Sequence, residues 1–161
     1  LTIELELTRN YVALIDEVDA DLAAHKWYAD VRAGTLIYVK RGSGPRNRRT
    51  TELLHRIILE RMLGRRLLQG KFTDHADGNG LNNTRSNLRL ATRAQNNANV
   101  RRKKTNRSGY KGVYRKRSKW QARIMVNRQH IDLGSFDTPE LAHAAYCEAA
   151  RKHFGEFARF E

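Results

Sequence analysis

The chain has 161 residues, 40% of them apolar, with 31 Lys+Arg against 17 Asp+Glu and a net charge of +14. That is enough apolar material for one domain or two to three small modules, and it excludes a collagen-like or low-complexity chain. Cys147 is the only cysteine, which excludes a disulfide framework and a four-cysteine zinc site and leads us to expect a reducing compartment.

In chain order, Ile3, Leu5 and Leu7 alternate along one side of a strand, and residues 11–15 predict a second. A helical stretch near Asp19 to His25 precedes two short strands at 27–31 and 36–39, so residues 1–50 are expected to form a small β-rich unit. Residues 41–49 read as a loop whose glycines lack the lysine and spacing of a phosphate-binding loop, and whose Arg46, Arg48 and Arg49 are candidate phosphate contacts. Leu53, Leu54, Ile57, Ile58 and Met62 recur at helical spacing up to Gly64. His55 and Arg56, on that helix, are expected to pack or to touch phosphate.

Phe72 begins a short strand that runs into the turn-rich stretch 74–83, and residues 88–92 form another. Asp77-Gly78-Asn79-Gly80 is a turn, without the further acids and the final Glu of a calcium loop. Thr92 and Gln95 make a capping-box pattern, which predicts a helix from Arg93 to beyond Val100. After a linker at 103–109, the runs 110–117, 119–127 and 130–136 predict three strands, with Ala122, Ile124 and Val126 toward the core and Gln121, Arg123 and Met125 on the other face. Thr138-Pro139-Glu140 starts a helix that ends at Gly155, with Leu141, Ala144, Ala145, Glu148 and Ala149 on the face against the sheet and Cys147 in the core.

The charge is local. Residues 100–128 hold 12 basic and no acidic side chains, with Tyr110, Tyr114 and Trp120 among them. A basic tract with interleaved aromatics is the electrostatic footprint of a nucleic-acid surface. Strand periodicity argues against a membrane-surface helix, and no apolar run approaches the roughly 18 to 20 residues of a spanning one.

Asp74-His75, Asn87 and Asn96 stand at the spacing His-x11-Asn-x8-Asn. With Leu54-His55-Arg56, the string from Asp74 to Asn83, Asn87-Leu88-Arg89 and Gln95-Asn96, they resemble the HNH homing endonucleases and their ββα-metal finger over about residues 53–100. The run Ser108-Gly109-Tyr110-Lys111-Gly112-Val113-Tyr114, with Lys119-Trp120, residues 133–138 and the alanine-rich helix, resembles an AP2/ERF DNA-binding domain. The two in this order are similar to phage and bacterial mobile-element endonucleases, whose leader the first forty residues also resemble.

The resemblance implies an α+β fold in three parts: a β-rich N-terminal unit (1–50), an HNH nuclease domain (51–102), and an AP2-like three-stranded antiparallel sheet packed on one helix (103–161). It makes His75 the general base and Asn87 the residue that holds the loop and orients it. Asp74 and Asn96 would ligate one divalent cation. Many relatives end the motif in histidine where this chain has Asn96, and an all-oxygen protein shell favours Mg²⁺ or Mn²⁺. Adjacent strand residues face opposite ways, so Asp74 and His75 can serve one phosphate only where the strand bends or ends. DNA contacts are expected at Arg101, Arg102, Lys103, Lys104, Lys111, Tyr114, Arg115, Arg117, Trp120, Arg123 and Arg128, and at Met125, beside the loop arginines, His55 and Arg56; the alternative for Trp120 is a core tryptophan. The function expected is metal-dependent hydrolysis of double-stranded DNA to 5′-phosphate and 3′-hydroxyl ends, by a monomer in the cytoplasm of a phage-infected or bacterial cell, with no membrane or small-molecule partner. The competing readings are a catalytically inactive DNA-binding transcriptional regulator and an RNA-binding protein.

Overall fold

The computed structural model describes residues 1–32, 36–45, 48, 50–102 and 105–161, which divide by their contacts into two units, Leu1–Ala91 and Thr92–Glu161. In the first unit the alternating N-terminal residues form strand β1 (Thr2–Glu6), paired antiparallel with β2 (Val12–Asp16). The stretch expected to be helical, Glu17–Ala24, consists of 3₁₀ turns, with Asp19 at φ −108° and ψ 17° interrupting them. Strands β3 (Tyr28–Arg32), β4 (Leu36–Ser43) and β5 (Thr50–Leu53) make an antiparallel sheet in that order. Helix α1 (Leu54–Leu63) follows and ends where Gly64 turns left-handed at φ 63°. Strands β6 (Lys71–His75) and β7 (Leu88–Thr92) pair and enclose the loop between them.

One apolar cluster joins β1 to β4, α1 and β7. Leu5, Ala13 and Ile15 of the first hairpin, Trp27, Val39, Leu54 and Ile58 of α1, and Leu88 of β7 pack together. Each large side chain contributes about 1.5–3 kcal/mol on burial, so the N-terminal strands and the motif-bearing segment stabilise each other. Backbone bonds join them too: Leu14 N–H donates to the Leu81 carbonyl and Asn83 N–H to the Leu14 carbonyl, both at 2.8 Å. Gly80 runs so close to β4 that a side chain there would collide with the Ile37 carbonyl.

A charged tie completes the unit. Asp19 is 0% exposed and accepts from Arg61 Nη1 at 3.2 Å and from Arg85 Nε and Nη2 at 2.8 and 3.0 Å. The neighbouring Asp16 carboxylate accepts the Arg85 backbone N–H at 2.6 Å.

In the second unit, α2 (Arg93–Ala98) carries the full capping box between Thr92 and Gln95. It stops short of the expected end because Lys111 Nζ takes the Ala98 and Val100 carbonyls, both at 2.6 Å, and Arg159 Nε holds the buried Asn99 at 3.0 Å. Strands β8 (Val113–Lys116), β9 (Lys119–Val126) and β10 (Gln129–Phe136) form an antiparallel sheet in the order β10-β9-β8. The β9–β10 turn places Asn127 and Arg128 at φ 50° and 67°. Helix α3 (Pro139–Phe154), capped by the Thr138 hydroxyl, packs on this sheet through Ala142, Tyr146 and Ala150. Leu141, Ala144 and Glu148, expected on that face, are exposed, because the helix turns Ala142, Tyr146 and Ala150 to the sheet instead. Gly112, at φ +74°, lies where any side chain would strike the Tyr146 ring, and β8 starts after it, at Val113. Ala122 and Ile124 are buried as expected, and Cys147 is half-buried beside the cluster of Ile124, Tyr146 and Ala150. Among the described residues no helix is long and apolar enough to cross a membrane.

Removing a partner from a buried ion pair leaves charge uncompensated. Asp19→Ala should therefore lower the unfolding free energy by about 3 kcal/mol, read by urea denaturation, whereas Asp21→Ala, which removes the exposed partner of Arg61, should cost under about 1 kcal/mol.

Candidate active site

Strand β6 ends at His75, where the Gly78 N–H donates to the His75 carbonyl at 2.8 Å. Beyond it, a loop of Asp and Asn residues folds on its own side chains, as short amide and carboxylate groups favour. Asn87, 7% exposed, receives the Asp77 N–H on Oδ1 at 3.0 Å and donates through Nδ2 to Asp77 Oδ1 at 3.0 Å and to the Asn82 carbonyl at 2.7 Å. Burial alone would raise the Asp77 pKa, but bonds from the Asn79 N–H and the Asn82 and Asn87 amides outweigh it and hold the carboxyl below its ordinary range.

Asn83, 0% exposed, faces the candidate base. Its Nδ2 donates to the Gly80 and Leu81 carbonyls at 3.2 and 3.1 Å, which turns Oδ1 toward His75 Nε2 at 3.3 Å. An amide oxygen only accepts, so Nε2 carries the proton and the lone pair of the neutral ring lies at Nδ1. His75 itself is 6% exposed, and burial lowers its pKa against the opposing influence of Asn83, Asp77 and Asp74.

His55 of α1 and Tyr38 of β4 pack around that ring. The His55 and His75 centroids are 5.1 Å apart, edge to face, and Tyr38 lies 5.3 Å from His55 and 6.4 Å from His75. His55 is also 6% exposed; its Nδ1 is buried without a hydrogen bond, and burial, with His75 and Arg56 nearby, pushes its pKa down to about 3. This burial corrects the expected DNA contact: the imidazole forms the wall behind the base. Arg56 is half-exposed, bonded to Glu60 Oε1 at 3.0 Å and to the Leu67 carbonyl at 3.4 Å.

Asp74 is 4% exposed, and its Oδ2 accepts from Arg89 Nε at 2.8 Å. Asp74, His75 and Asn87 all lie in the first unit; Asn96 is half-buried on α2 of the second. Among the described residues no group of three or more His, Cys, Asp or Glu could hold a metal. A carboxylate and an amide oxygen are donors of the kind that hard divalent ions take. Asp74 already attracts a cation, Arg89, which fits that use.

The second unit carries the basic surface, 16 Lys+Arg against 6 Asp+Glu in residues 92–161. Arg101, Arg102, Arg115, Arg117 and Arg128 are exposed, as is Met125. Tyr114 OH donates to Gln121 Oε1 at 2.6 Å, Gln121 Nε2 donates to Ser135 Oγ at 3.2 Å, and the Arg123 guanidinium lies 5.1 Å from the Tyr114 centroid. Arg123 Nε is buried without a hydrogen bond, in a cleft of about 1110 Å³ bordered by Arg93, Asn97, Tyr114, Arg123, Arg128 and His130. Two expected contacts have partners within the chain. Lys111 is bound to carbonyls, with burial the main cause that pushes its pKa down to about 8, and Trp120 packs on the core under Arg115. Of the loop and linker cations, Arg48 is exposed, while Arg46, Arg49, Lys103 and Lys104 lie outside the described residues. Sequence reasoning gave no role to Asn83, Arg89, Arg93 or Asn97. The first two stand inside the quoted motif strings, which was the available signal.

Comparison with known proteins bears on this site. Residues 52–98 match the family model described as HNH endonuclease. An uncharacterised HNH endonuclease of Acanthamoeba polyphaga mimivirus is 37% identical over 106 residues, 65% of this chain and 54% of that protein. Protein 3.8 of Escherichia phage T7 is 35% identical over 94 residues, 57% of this chain and 77% of the phage protein. The chain thus spans about half the length of the mimiviral relative. No solved structure gives a significant match.

The buried histidines make stability depend on pH. A histidine whose pKa is depressed on folding binds its proton more tightly in the unfolded chain, so its neutral burial costs nothing above the unfolded value and costs stability as pH falls below it. For His55 that window runs from 6.5 down to about 3. The unfolding free energy should fall through it by up to about 1.4 kcal/mol per pH unit from this group, and His55→Phe should make the slope shallower in chemical denaturation at stepped pH while the His75 contribution stays.

Proposed function

The chain belongs to the HNH endonuclease family, and from that premise we propose that it hydrolyses phosphodiester bonds of double-stranded DNA with His75 as general base. The observation that carries this reading is a buried imidazole, its pKa lowered, next to an amide that sets its tautomer. Such a ring is uncharged at neutral pH, and its Nδ1 accepts the proton of the attacking water. Asn83 keeps the ring turned, and Asn87 keeps the loop that carries Asn83 closed. Asp74 and Asn96 would hold one divalent cation, Mg²⁺ or Mn²⁺. When bound, the ion neutralises charge growing on the phosphoryl and leaving oxygens. The products are 5′-phosphate and 3′-hydroxyl ends.

The second unit grips the duplex. Its sheet-on-helix arrangement and the exposed Arg115, Arg117 and Arg128 support an AP2-like DNA-binding role. Arg123, with an unpartnered Nε in a basic cleft, suits a phosphate oxygen. One relative is a phage protein, and we take this chain to be a mobile-element, homing-type enzyme that acts as a monomer on DNA in an infected or bacterial cell.

The test is cleavage of supercoiled plasmid and of host genomic DNA with Mg²⁺, Mn²⁺ or EDTA. His75→Ala should slow cutting by at least about a hundredfold while DNA binding persists, and EDTA should abolish cutting. Binding by the wild type without cutting in either metal would favour the regulator. Were about eight phosphates contacted, log K should fall against log salt with a slope of roughly −7. Arg123→Gln and Arg128→Gln should each make that slope shallower by about 1.

A further inference from the structure

Asp74 already holds a positive charge. Its Oδ2 accepts from Arg89 Nε at 2.8 Å across the paired strands β6 and β7, with the two side chains 4% and 18% exposed. The function proposed above needs a divalent ion on this same carboxylate. A guanidinium and an ion at contact with one carboxylate repel each other, and at this burial little water screens them.

Resting on that reading of Asp74, we propose that Arg89 is the resident counter-ion of the metal site: it occupies Asp74 in the metal-free chain and leaves that contact when the ion binds. The exchange has a physical logic. A buried carboxylate without a partner is strongly unfavourable, so Arg89 keeps the site ordered before the ion arrives. The guanidinium is weakly hydrated and singly charged, so a doubly charged ion can displace it where a monovalent ion does not. Among the described residues no cluster of further acids adds to the attraction, so the free chain binds metal weakly. Substrate changes the balance, because a DNA phosphate supplies oxygens to the ion and offers the released guanidinium a two-pronged partner. Metal and DNA then strengthen each other's binding through Arg89, and the coupling is reciprocal.

The experiment titrates the full-length chain with Mn²⁺ in the absence of DNA, counting free Mn²⁺ by electron paramagnetic resonance, for wild type, Arg89→Gln, Arg89→Lys and Asp74→Asn. In parallel, the Arg89 Nε–Hε resonance of the wild type is followed by NMR during Mg²⁺ titration, with Arg89→Lys identifying the signal. Arg89→Gln should bind Mn²⁺ about tenfold more tightly than wild type, the factor that about 1.4 kcal/mol provides, and Arg89→Lys should stay near wild type. The Nε–Hε signal should move as Mg²⁺ saturates. Unchanged or weaker affinity in Arg89→Gln overturns the proposal, since it would mean that Arg89 presents Asp74 to the ion. An unmoved resonance at saturation overturns it even where the glutamine variant does not fold. If Asp74→Asn binds Mn²⁺ as the wild type does, the assignment of Asp74 as a metal ligand fails, and the exchange falls with it.

Discussion

A carboxylate shut off from water lies between two guanidinium groups, and the order of the first unit depends on that arrangement. Asp19 is on the N-terminal 3₁₀ segment, Arg61 is on the last turn of α1, and Arg85 is in the loop that closes on the candidate base. An isolated charge at this depth would not be tolerated, so both arginines are drawn to one point, and three separate stretches of chain come with them. The Asp16 carboxylate on the Arg85 N–H and the parallel bridge between Leu14 and Asn82 fix the same loop from its other side.

From there the constraint passes inward through hydrogen bonds. With 84–87 anchored, Asn87 can close the turn over Asp77, and with 81–83 pinned to β2, Asn83 can satisfy both its amide hydrogens on backbone carbonyls. Only then does its oxygen face His75. The ring is further confined by His55 and Tyr38, which are aromatic neighbours and not hydrogen-bond partners. Their contribution is to exclude water and to keep the imidazole neutral. The state of the His75 ring is therefore set mostly by buried and half-buried neighbours.

Much of this outline was legible from residue patterns. The period-2 alternation of β1 and β9, the capping box of α2, Gly64 and the Thr138-Pro139 start of α3 are local signals, and local backbone physics decided them. The failures were tertiary. Glu17–Ala24 has helix-forming composition, but Asp19 must reach two arginines and the helix breaks there. The strand at Thr50–Leu53 was too short to separate from the apolar run of α1. Lys111 looked like one more phosphate contact among many cations, and only the folded chain reveals that it seals the end of α2. The candidate base and loop asparagine came from the resemblance to HNH endonucleases, whereas Asn83 and Arg89, though inside the same motif strings, gained a role only from their partners' positions in the folded chain.

The shared core has a consequence for how such a chain can be inherited. A cassette copied from residue 51 onward would carry the nuclease motif but leave Ile15, Trp27 and Val39 behind, together with the carboxylate that Arg61 and Arg85 require. Recombination that treats the N-terminal strands as an exchangeable leader would deliver a motif with half an interior. Any transfer of this fold therefore has to carry residues 1–91 as one block, because the strands and the motif fill a single interior.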